Sequence, residues 1–153
     1  MPTRRRILAA TLAALGALGT TAGAYLDWFG DRPAHELPLE RLYQSDIASG
    51  PASSYWNSMA LPLAVVGALG VLGALLLSRF VLVLAWVIAV ATLVTWAVMQ
   101  TGDDAVDAGL GDVQVGFWVS AAASVVLLIG IVMMGRDRVR GPGPAEPRVD
   151  DPT

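Results

Sequence analysis

From Met59 to Met99 the chain reads MALPLAVVGALGVLGALLLSRFVLVLAWVIAVATLVTWAVM, and a single charged residue, Arg79, interrupts it. A run of this length is about twice the ~20 residues that span a ~30 Å hydrocarbon core at 1.5 Å per residue. An arginine at the centre of a span would cost ~3 kcal/mol on the insertion scale. Both difficulties vanish if Ser78-Arg79 is the tip of a tight helical hairpin joining two antiparallel spans, Met59–Leu77 and Phe80–Met99. Ser58 is placed to cap the first of these, and Pro62 falls in or beside its first turn, where a missing N–H costs least.

Working outward, two more apolar stretches lie at Ile7–Tyr25 and Val115–Met134, and none of the four contains Asp, Glu, Arg, Lys or His. The predicted fold class is all-α: an integral membrane four-helix bundle of antiparallel up-down spans over residues 1–135, with outer loops at 26–58 and 100–114. Residues 136–153, in which Gly141-Pro142-Gly143-Pro144 is followed by a stretch almost free of apolar side chains, read as a disordered cytoplasmic tail. Within the first loop, Leu39, Leu42, Tyr43 and Ile47 share one helical face and predict a short interfacial helix.

Composition narrows the function classes. In 153 residues, 55% hydrophobic with a mean hydropathy of +0.59, there is room for the bundle and its loops but not for a soluble catalytic domain. Cysteine is absent, which excludes disulfides and thiolate metal sites. All ten basic residues are arginine, in a background rich in Ala, Gly and Val, the usage of a GC-rich bacterial genome.

The charges set an orientation. Alternating spans put Arg4, Arg5, Arg6, Arg79, Arg136, Arg138, Arg140 and Arg148 on one side and only Arg32 and Arg41 on the other, so both termini are expected in the cytoplasm of a bacterial cell. The opposite side is acidic, with Asp27, Asp31, Glu36, Glu40 and Asp46 in the first loop and Asp103, Asp104, Asp107 and Asp112 in the second. Tyr25, Trp28, Phe29, Tyr55, Trp56, Trp96, Phe117 and Trp118 fall near the outer boundary, where amphipathic rings favour the headgroup layer. The first span has a rival reading as a cleaved signal peptide, since Arg4-Arg5-Arg6 precedes an apolar run ending in Ala22-Gly23-Ala24. Its length and the three spans that follow favour retention.

Candidate chemistry is sparse. Asp103-Asp104-Ala105-Val106-Asp107 has the DDxxD form that can hold a divalent ion, but no second acidic cluster accompanies it, and a solvated acidic loop is the expectation. His35 is the single histidine, and Gly30 and Pro33 break the helix that would align it with Asp27 and Asp31. No nucleophile–base set, phosphate-binding glycine loop or basic aromatic nucleic-acid surface is present, so no enzyme activity, cofactor or nucleic-acid partner is expected. The remaining signal is a set of small residues: Gly19 and Gly23 in the first span, Gly67, Gly70 and Gly73 in the second, Gly116, Ser120 and Ser124 in the fourth. Such stripes let helices approach closely in lipid, either within the bundle or against a membrane-protein partner or second copy. Thr92, Thr95 and Gln100 give the third span a mildly polar character.

The layout of four spans with a larger first outer loop is similar to that of claudin-type proteins, whose paired loop cysteines are missing here. Gly116-Phe117-Trp118-Val119-Ser120 through Gly130, followed by arginines, resembles short four-span proteins of GC-rich Gram-positive bacteria, including tryptophan-operon-associated membrane proteins. That resemblance implies a membrane bundle and no activity. The expected function is therefore that of a non-enzymatic accessory or scaffold protein presenting an acidic outer cap, with a small oligomeric channel or transporter as the alternative.

Overall fold

A computed structural model describes residues 2–29, 32–42, 54–102 and 115–135. Four α-helices dominate: α1 (Pro2–Gly23), α2 (Ala60–Leu75), α3 (Arg79–Gly102) and α4 (Val115–Gly135). Between α1 and α2 lie a two-stranded hairpin, β1 (Asp27–Phe29) with β2 (Arg32–Pro33), and three 3-10 turns at Ala34–Glu36, Leu39–Leu42 and Tyr55–Asn57. Of the amphipathic helix expected in this loop, the described part is the single turn Leu39–Leu42, and Tyr43 and Ile47 lie outside the described residues. The helices form an all-α antiparallel ring in which α1 packs on α2 and α4, and α3 packs on the same two from the opposite side. The α1–α4 contact is the most extensive.

The hairpin predicted at Ser78-Arg79 is built as a Schellman cap. Ser78 N–H donates to Gly73 O at 2.8 Å and Leu77 N–H to Ala74 O at 3.2 Å, which satisfies carbonyls the last turn of α2 would otherwise orphan. The geometry requires a left-handed residue, and Leu77 supplies it with φ 49°. Glycine is the usual occupant, because a side chain in this conformation costs ~1–2 kcal/mol. Leu77 offsets that cost by packing its side chain against the core. Early capping also explains why α2 stops at Leu75, short of the sequence expectation of Leu77. At its other end the expectation for Ser58 is corrected: Met59 holds the cap position, and Ser58 Oγ donates to Tyr55 O at 2.7 Å.

Packing is inverted relative to a protein folded in water. Ala9, Ala13, Ala17, Ala85 and Ala89 are fully buried along the bundle axis, whereas Leu8, Leu15, Leu72, Leu75, Phe80 and Val125 point outward. Where the surroundings are as apolar as leucine, nothing is gained by burying large side chains, and small ones allow close helix contact. Three helices are long and apolar enough to cross a membrane, over Arg4–Gly23, Arg79–Val98 and Val115–Gly135. The fourth, α2, is apolar but has 16 residues, about 24 Å at 1.5 Å per residue.

Candidate functional site

The small-residue stripes meet at the α1–α4 contact. A Cβ on Gly23 would collide with Ser120 Oγ, and one on Gly19 would stand 3.0 Å from Ala123 Cβ. Ser120 Oγ donates to Thr20 O at 3.2 Å, and Gly116 lies directly beneath the Trp28 ring. Ser124, also buried, donates to Ala121 O of its own helix at 2.7 Å. The face of α4 carrying Gly116 and Ser120 is thus covered by α1 and by Trp28 of the same chain. The tightest crossing lies deeper, at two glycines the sequence reading did not single out. A Cβ on Gly16 would enter the α4 backbone, meeting Leu127 N and standing 2.8 Å from Ala123 O. One on Gly130 would stand 2.7 Å from Ala13 N and 2.8 Å from Ala9 O. The signal for Gly16 was available, because Gly16, Gly19 and Gly23 recur at three- and four-residue steps.

On the other side of α1, Thr21 Oγ1 lies 2.6 Å from Leu63 O of α2 and 3.2 Å from Ala17 O, so its proton goes across the interface. Thr11, Thr20 and Thr92 donate instead to Ile7 O, Gly16 O and Ile88 O, each one turn back in its own helix. Every one of these hydroxyls is satisfied without water, as lipid requires.

The end of the bundle near the β-hairpin is closed by rings. Trp28, expected at the headgroup layer, is fully buried, with Nε1 donating to Gly23 O at 2.7 Å. Its ring meets Trp96 at 5.4 Å and Phe117 at 5.9 Å, both edge-on, and Trp96 and Phe117 are 5.0 Å apart. Below them Leu63, Val66, Leu82 and Leu127, all fully buried, fill the interior. Tyr25, Tyr55, Trp56 and Trp118 remain exposed, as boundary rings would. The sequence could not separate the two groups, since Trp28 reaches the core only because β1 turns the chain back over α4.

Outside this plug, Tyr25 and Tyr55 join their hydroxyls at 3.3 Å, and the Tyr25 ring packs on His35 at 5.2 Å. The hydrogen bond to Tyr25, then burial and the nearby phenol, push the Tyr55 hydroxyl up to about 12, so it stays neutral at physiological pH. His35 Nδ1 is buried without a hydrogen-bond partner. Among the described residues no three of His, Asp and Glu stand together as a metal site. Asp103, Asp104 and Asp107 lie outside the described residues.

Among the described residues, the bundle surface carries a groove. Between α2 and α3 a groove of about 430 Å³ is lined by Leu61, Pro62 and Val65 on one wall and by Ile88, Ala91, Thr92 and Thr95 on the other, with Leu39 of the loop at its end. Pro62 helps open it, having no N–H and a compact ring in the first turn of α2. Ala91 and Thr95 are exposed one turn apart, a small-xxx-small pair facing outward. Thr95 also differs from the other described span threonines, since its hydroxyl makes no hydrogen bond among the described residues. The side chain of Gln100 lies outside the described residues.

No family model matches the chain, and no curated protein or solved structure matches it. Function therefore has to be argued from this geometry.

Proposed function

We propose that the chain is a non-enzymatic accessory or scaffold protein of a bacterial cytoplasmic membrane. It crosses four times with both termini in the cytoplasm and docks a transmembrane helix of a partner protein in the α2–α3 groove. The observation that carries this reading is the exposed Thr95 hydroxyl, without an acceptor among the described residues, beside Ala91 in a concave, otherwise apolar surface. In hydrocarbon a polar group gains by meeting a backbone or side chain of a neighbouring helix, a bond measured at ~0.6 kcal/mol on average, and small residues permit that approach. Orientation rests on the arginine asymmetry, with Arg4, Arg5, Arg6 and Arg79 at one end and Asp27, Glu36 and Glu40 at the other. The acidic loops would face the envelope and offer the partner a second contact of opposite sign.

A channel or transporter within one chain has little support. Its path would run through the Trp28, Trp96 and Phe117 layer, and beyond the arginines at their ends the described spans carry no Asp, Glu, Arg, Lys or His to line it.

Replacing both Ala91 and Thr95 by Leu fills the groove from a surface position. Co-purification of the partner in mild detergent is then expected to fall about tenfold, as ~1.4 kcal/mol of lost packing would produce. The melting temperature of the chain itself should stay within a few degrees of wild type. Undiminished co-purification with the Ala91→Leu/Thr95→Leu variant would remove the groove from the account.

A further inference from the structure

We propose that the arginine end of the bundle binds the headgroup of an anionic phospholipid, gripped chiefly by Arg6 and Arg79. The antiparallel fold gathers the start of α1, the α2–α3 turn and the end of α4 at one end. Arg4, Arg5, Arg6 and Arg79 are exposed there, while the carboxylates among the described residues, Asp27, Glu36 and Glu40, all stand at the opposite end. Positive charge is thus concentrated at this end of the bundle.

Two of these guanidinium groups are positioned. Arg6 Nη2 donates to Leu77 O at 3.4 Å, a long bond that leaves its other N–H groups available. The left-handed conformation of Leu77 sets the direction of the turn that carries this carbonyl. Arg79 lays its guanidinium over Gly135 at the end of α4, so closely that a Cβ there would stand 2.6 Å from Nη1. A glycine at this position makes room for the fork, and the adjacent helix C-terminus favours the cation. A planar guanidinium held this way suits bidentate contact with a phosphate.

The surroundings select a lipid rather than a free phosphate. Ile7, Leu8, Leu75, Leu76 and Phe80, all large and exposed, lie within a few residues of Arg6 and Arg79 and offer acyl chains a surface directly beyond the headgroup. Basic surfaces beside helix ends recognise anionic headgroups by this combination of charge and adjoining hydrocarbon.

Native mass spectrometry of the full chain with equimolar phosphatidylglycerol and phosphatidylcholine tests the proposal. Wild type is expected to retain phosphatidylglycerol about fivefold more than phosphatidylcholine, the ratio that one arginine contact at an anionic surface supports. An Arg6→Gln/Arg79→Gln variant should bring the two lipids level, whereas Arg32→Gln, at the opposite end of the chain's topology, should leave the preference intact. Equal retention of both lipids by wild type, a result that needs no variant to fold, would overturn the proposal. So would a preference that survives in the double variant, or displacement of the lipid by free glycerol phosphate.

Discussion

Gly16→Ala is expected to destabilise the bundle by on the order of 3 kcal/mol, although alanine is the better helix former by about 1 kcal/mol. The sign reverses because the added methyl would point into the backbone of α4, at Leu127 N and Ala123 O. Backbone cannot rotate aside as a side chain can, so the two helices must separate and every contact along their seam weakens. Gly19→Ala is the matched control, since its methyl would meet only the Ala123 side chain at 3.0 Å. Reversible unfolding of both variants in detergent, followed by loss of helicity, measures the difference. A Gly16→Ala protein as stable as Gly19→Ala would mean that α1 and α4 do not cross where described.

Removing the ring of Trp28 should cost ~3–5 kcal/mol, the range for deleting a buried aromatic. Three losses coincide in Trp28→Ala: the edge contacts to Trp96 and Phe117, the hydrogen bond to Gly23 O, and the cover over Gly116. Trp28→Phe separates them, keeping most of the packing while losing the donor, and should cost about 1–2 kcal/mol. Because the ring sits at one end of the bundle, the damage should be local. Hydrogen exchange is expected to quicken around Ala24, Leu37 and Met59, which share the ring's apolar cluster, and to change little around Ala13 and Leu127. Uniform acceleration along all four helices would contradict the picture of an end plug.

The membrane bundle was legible because its two strongest signals are local. Uncharged runs locate helices, and Arg79 inside the longest run permits only a turn. Pairing of the helices was less legible. Gly116 and Ser120 advertised a close approach, but the spacing of small residues does not say whether α1 or another protein supplies the facing helix. Only the chain path decides that, by bringing Gly23 and Ser120 together across a sequence separation of 97 positions. Trp28 was misplaced for a related reason: three residues of strand turn it inward, and hydropathy near a boundary cannot register that. The groove was hidden altogether, because Thr95 and Thr92 look alike in sequence and differ only in which neighbour each one meets.

Photocrosslinking in the native membrane tests the central claim most directly, with a photoreactive side chain placed at Thr95 or, for comparison, at Val125 on the outward face of α4. The account predicts a discrete protein adduct of one mass from Thr95, lost when Ala91 is also changed to Leu, and only lipid adducts from Val125. Lipid adducts alone from both positions would show that the groove holds no partner helix and would contradict the accessory role.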